Sequence, residues 1–84
     1  MRAKVKGVRQ LNIKGEHIRL DALMKYASLV TTGGEAKLII QSGDVLVDGT
    51  PCFMRGKKIR PGNVVRFEGN TILVRYDTSN TADN

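Results

Sequence analysis

The apolar positions change their period twice along the chain. Between Gln10 and Lys14, Leu11 and Ile13 alternate with polar neighbours, which predicts a short strand closed by Gly15-Glu16. Leu20, Leu23, Met24 and Ala27 then recur at helical spacing, so a first helix is expected over 19–28 with these four on one face. Asp21 falls in its first turn, where a negative charge suits the helix dipole. Leu29–Thr32 connects to a second helix starting at Thr32. Its buried stripe is Ala36, Ile39 and Ile40, and Gly43 is its stop. Thr32 and Glu35 have the S/T-x-x-E spacing of a capping box, in which the hydroxyl and the carboxylate each satisfy a backbone N–H.

From Val45 the period becomes two. "VLVDGTPCFM" predicts a strand, an Asp48-Gly49 turn and a second short strand. Pro51 makes that second strand an edge or a late starter. Arg60-Pro61-Gly62-Asn63 is a turn. Val64–Phe67 and Ile72–Tyr76 form a hairpin across Glu68-Gly69-Asn70-Thr71. One strand, two helices and then several strands make a small α+β domain, with two helices packed on a mainly antiparallel sheet.

The second helix carries a puzzle, because Gly33 and Gly34 occupy its first turn although glycine is the poorest ordinary helix former. Gly33, Lys37 and Gln41 stand at i, i+4 and i+8, on a face away from the apolar stripe. The first-turn N–H groups lack intrahelical acceptors, the dipole is positive there, and glycine lets an anion approach the backbone. Two readings stay open: an anion seat with Lys37 one turn on, or glycines that avoid a clash with the first helix.

Composition narrows the classes of function. The chain has 84 residues, so one domain and one modest core are expected, with function on the surface. Residues 1–9 form a basic N-terminal segment, either a flexible arm or the lead into a first strand, 10–76 the folded domain, and 77–84 a polar tail. Lys and Arg total 14 against 8 acids, a net charge of +6 that points to nucleic acid first and anionic membrane second. No apolar run exceeds three residues, which excludes a signal h-region and a membrane helix and implies a soluble, cytoplasmic protein. One cysteine, Cys52, and one histidine, His17, cannot build a structural zinc site, and no cofactor is implied. His17 reads as a solvated loop residue and Cys52 as an inert thiol in a strand. The nearest approach to a phosphate-binding P-loop, from Gly49 to Gly56-Lys57-Lys58, fails in spacing and in its last residue. No catalytic residues are therefore expected. Arg55, Lys57, Lys58 and Arg60 crowd one loop, "RGKKIR", and Lys25 on the first helix is a weaker cationic candidate. The only aromatics are Tyr26, Phe53, Phe67 and Tyr76, and several of them read as core.

Taken together, "RLDALMKYASLVTTGGEAKLIIQSGDVLVDG" (Arg19–Gly49) resembles the RNA-binding domain typified by ribosomal small-subunit protein S4. Arg19, Leu20, Asp21, Ala36, Lys37, Ile40, Gly43, Val45, Val47 and Gly49 fall on that family's pattern without a gap, and the match extends over about 10–75. The Gly-Gly-Glu-Ala-Lys and Arg-Gly-Lys-Lys segments look most like its small stand-alone bacterial branch. Thr32 stands at the usual serine, Gly33 where arginine is frequent, Asp48 at the usual Asn, Asn63 at the usual Asp, and Met54 where another arginine is frequent.

The resemblance implies non-catalytic binding of structured RNA, ribosomal RNA or tRNA, by a monomer, with ribosomal particles as a further partner. Matched by position, it implies contacts from Arg19, Thr32, Lys37 and the start of the second helix. The residue pattern adds Gly34, Gln41 and the Arg55–Arg60 loop. Action mainly through protein contacts, as a ribosome-assembly or rescue factor or an enzyme accessory subunit, is the alternative.

Overall fold

Residues 7–77 are described in the computed structural model. The first six residues of the basic segment and the tail from 78 onward lie outside the described residues. The elements run β1 (Gly7–Ile13), β2 (Ile18–Arg19), α1 (Leu20–Tyr26), α2 (Gly33–Gln41), β3 (Leu46–Val47), β4 (Thr50–Pro51), β5 (Lys58–Ile59), β6 (Val64–Phe67) and β7 (Asn70–Tyr76).

Five strands form one sheet in the order β1-β7-β6-β3-β4. Three of its four pairings are antiparallel, but β1 runs parallel to β7 over seven residue pairs, from Gly7↔Asn70 to Ile13↔Tyr76. The sheet is therefore mixed, as a strand at one end of the chain must be when it pairs with the last one in the same direction. Asp48-Gly49 and Glu68-Gly69 both have positive φ at both residues, the type I′ geometry whose twist suits a two-residue hairpin. The second hairpin is thus tighter than expected: Asn70 and Thr71 already belong to β7. Pro51 sits on the edge strand β4, where its missing N–H breaks no ladder.

One core joins the layers. Leu20, Leu23 and Met24 of α1, Ala36 and Ile40 of α2, and Val65, Ile72 and Val74 of the sheet are buried in a single cluster. The architecture is α+β, two helices on one small mixed sheet.

Helix α1 ends at Tyr26, short of the expected 28. The Ser28 N–H donates to Lys25 O at 3.0 Å and the Leu29 N–H to Met24 O at 2.8 Å, with Ser28 at φ +62. This is a Schellman stop with serine in the position that glycine usually fills. Helix α2 keeps its expected start: Thr32 is its N-cap and accepts from the Glu35 N–H at 3.1 Å. The Glu35 carboxylate reaches past Thr32 to Thr31, accepting from its N–H and its hydroxyl at 3.0 Å each.

Candidate functional site

The "RGKKIR" segment is not a free loop. Lys58-Ile59 forms β5, paired with Ile18-Arg19 in a separate two-residue ladder, and Ile59 is fully buried. Burying one such side chain contributes roughly 1.5–3 kcal/mol, so a core residue anchors the cationic segment from within. The Lys57 N–H donates to Met54 O at 3.1 Å and closes a turn over 54–57. That turn is tied to the first helix. The Leu20 N–H donates to Lys57 O at 2.9 Å, and the Asp21 N–H to Arg55 O at 3.0 Å. Helix α1 has no side-chain cap at Arg19, and these loop carbonyls satisfy its first N–H groups instead.

Asp21 organises the cations of this corner. Arg19 donates through Nε and Nη2 to the two Asp21 carboxylate oxygens at 3.1 Å each. Arg55 Nε stands 4.0 Å from the same carboxylate. The Asp21 side chain is only 14% exposed, while that of Arg19 remains 55% exposed. Burial pushes the Asp21 carboxyl up. The Arg19 hydrogen bond, the Ala22 N–H and the charges of Arg19 and Arg55 outweigh that and hold it below the ordinary carboxylate value. The Arg19 guanidinium lies over the Gly56 backbone, at an ordinary contact distance of 3.7 Å from where a Cβ would stand there. Arg19, Arg55, Lys57 and Lys58 thus come together at one corner. Arg60 follows on, its N–H donating to Asn63 Oδ1 at 2.7 Å.

Lys37, Gln41, Gly34 and Leu38 share the exposed face of α2, and Leu38 is 71% exposed. Gly33 is half-buried, yet a Cβ built on it meets nothing within 4 Å, and one on Gly34 meets only Thr32 Oγ1 at 4.0 Å. Neither glycine has a positive φ. Packing against α1 therefore does not require them, and the clash-avoidance reading of the sequence is corrected. Beyond the Glu35 N–H held by Thr32, the Gly33 and Gly34 N–H groups have no acceptor among the described residues. The Lys37 ammonium likewise has no ion pair there. Thr32 is occupied as a cap. Lys25 is exposed in the last turn of α1.

Two expectations need correcting. Of the four aromatics only Phe67 is core; Tyr26, Phe53 and Tyr76 are 64%, 58% and 56% exposed. Cys52 lies just after β4 rather than in a strand, half-buried, its thiol donating to Met54 O at 3.7 Å. Arg9 lies in β1, and its Nη2 donates to the Ala27 carbonyl at the end of α1, 2.7 Å away. The role of Asp21 as clamp for Arg19 and Arg55 went beyond the dipole argument. Its sequence signal was an acid two residues after an arginine at a helix start.

His17 is exposed, and among the described residues no group of three His, Cys, Asp or Glu could hold a metal ion. No helix among them is long and apolar enough to cross a membrane. The donors presented are cationic side chains and bare N–H groups, which suit phosphate oxygens.

Comparison with known proteins agrees with this geometry. The family model for the S4 domain matches residues 11–75. A Bacillus subtilis protein named "Probable ribosome maturation protein RlbA" is 37% identical over 59 residues, which cover 70% of this chain and 83% of that one. An Escherichia coli protein named "Putative RNA-binding protein YbcJ" is 34% identical over 61 residues, 73% of this chain and 87% of its own. The resemblance read from Arg19–Gly49 thus extends across both helices, the clamped basic turn and the sheet, and the chain belongs to the S4 domain family.

Proposed function

We propose that the chain binds structured RNA, ribosomal RNA or tRNA, as a non-catalytic module that recognises phosphates and shape. The observation that carries this reading is the first turn of α2: two glycines that sterics do not demand, N–H groups without acceptors among the described residues, and Lys37 exposed one turn on. The dipole adds positive potential at that end. Arg19, Arg55, Lys57, Lys58 and Arg60 supply a second cationic surface, fixed by the Asp21 clamp and the buried Ile59. The names of the two relatives, RNA binding and ribosome maturation, support the same class.

A salt-controlled RNA titration of Lys37→Glu tests this reading. Removing a phosphate contact should weaken binding uniformly across RNA sequences and reduce the salt slope by about 1. Unchanged affinity and slope would remove α2 from the interface. The second reading, ribosome assembly through protein contacts, is favoured by the exposure of Leu38 on the same face. In that case association with ribosomal particles would survive high salt.

A further inference from the structure

Phe53 and Met54 are large apolar side chains exposed at 58% and 65%, beside the most basic turn of the chain. They line a shallow groove of about 390 Å³ with Pro51, Lys57, Asp48 and Asn63. The groove is held in shape on three sides. Phe53 rests on Gly43, where a Cβ would stand 3.1 Å from Cε2. The Cys52 thiol and the Lys57 N–H both donate to Met54 O, which folds Lys57 back over the groove. Asn63 Nδ2 donates to Asp48 Oδ2 at 2.7 Å, and the Val64 N–H donates to Asp48 Oδ1 at 2.9 Å.

We propose that this groove is a subsite for one unpaired nucleobase of the bound RNA, stacked on Phe53 with its flanking phosphate on Lys57. The proposal rests on the RNA reading above and deepens it: the RNA would carry a bulged or splayed nucleotide beside its paired region. Charge complementarity decides for a nucleotide over an apolar protein anchor. Lys57 forms part of the wall, and Arg55, Lys58 and Arg60 continue the positive surface. The one acid in the lining, Asp48, has both oxygens engaged. An open aromatic ring next to cations is the arrangement that holds single-stranded bases. Asp48 and Asn63 are committed to each other and to backbone, which leaves the Thr50 hydroxyl and the Lys57 ammonium as the polar side-chain groups of the lining, so stacking rather than base-edge reading dominates.

The test uses the full chain and two RNA hairpins of identical stem, one fully paired and one with a single bulged 2-aminopurine. Stacking is worth ~1–3 kcal/mol per base, so the bulged hairpin should bind about tenfold more tightly at equal salt, with its fluorescence quenched. Phe53→Leu keeps apolar contact with Gly43 but removes the ring. It should abolish both the preference and the quenching while leaving affinity for the paired hairpin unchanged, and Phe53→Tyr should retain both. Equal binding of the two hairpins without quenching, or a preference that persists in Phe53→Leu, overturns the subsite and leaves the RNA reading standing. Salt-resistant association with ribosomal particles that is lost in Phe53→Leu, with hairpin binding untouched, assigns the groove to a protein and overturns it too. Failure of the unmodified protein to bind either hairpin at low salt defeats the RNA reading, and the subsite with it.

Discussion

The two helices begin in opposite ways. At the start of α1, the Leu20 and Asp21 N–H groups are closed by the carbonyls of Lys57 and Arg55, and the neighbouring arginines are held by the Asp21 carboxylate. At the start of α2, Thr32 takes one N–H, while those of Gly33 and Gly34 stay open and Lys37 stands without an ion pair among the described residues. Both ends carry the positive pole of a helix dipole. In α1 that pole is spent on holding a loop, so its contribution is structural. In α2 Glu35 is the acid of the first turn, and its carboxylate is turned back to Thr31. A basic residue at a helix start therefore says little by itself; what matters is whether the fold has already supplied it with an anion.

The largest effect should come from opening the closed end. In Asp21→Asn, Arg19 and Arg55 lose their charged acceptor in a largely buried position. Hydrogen bonds to charged groups contribute about 1.5–3 kcal/mol, so denaturant unfolding should show a loss of that order. The pH dependence has a definite sign. The Asp21 pKa is lowered in the folded state, so its stabilisation is fully present above the unfolded carboxylate value of about 3.9. It is lost as pH falls from there through the folded value. The gap between the original protein and Asp21→Asn should accordingly be wide at neutral pH and narrow in acid. A gap that stays constant with pH would show that the clamp does not depend on charge.

A smaller effect, of opposite sign, is expected at the open end. Gly34→Ala has room for its methyl group and needs no change of backbone. Such substitutions stabilise by ~0.4–1 kcal/mol, through the unfolded chain. The same methyl group stands where an RNA phosphate would approach, so RNA affinity should fall as the thermal midpoint rises. A stabilised protein with undiminished affinity would mean that the glycine backbone is not in contact.

The sequence made some of this legible and hid the rest for physical reasons. The core of both helices followed from periodicity, because Leu20, Leu23 and Met24, or Ala36 and Ile40, can share a face only in a helix. The Thr32 cap was readable because it is local. The stop of α1 was hidden because serine, not glycine, takes the left-handed position at Ser28. The parallel pairing of β1 with β7 joins the two ends of the domain, and no local pattern announces it. The same holds for β2 and β5, two residues each, which turn a run of cations into an anchored segment. The exposure of Phe53, between Cys52 and Met54, was hidden because the apolar run alone does not show that β4 stops at Pro51.

The contrast between the two helix starts can be read in one spectrum. Backbone amide resonances of the ¹⁵N-labelled protein are followed during titration with an RNA hairpin. The Gly33 and Gly34 amides should move furthest and saturate with the binding curve, while those of Leu20 and Asp21, already bonded to loop carbonyls, should move less, as neighbours of the Arg19 and Arg55 contacts. Saturable binding with Gly33 and Gly34 unmoved, or with Leu20 and Asp21 shifting in their stead, would contradict the account.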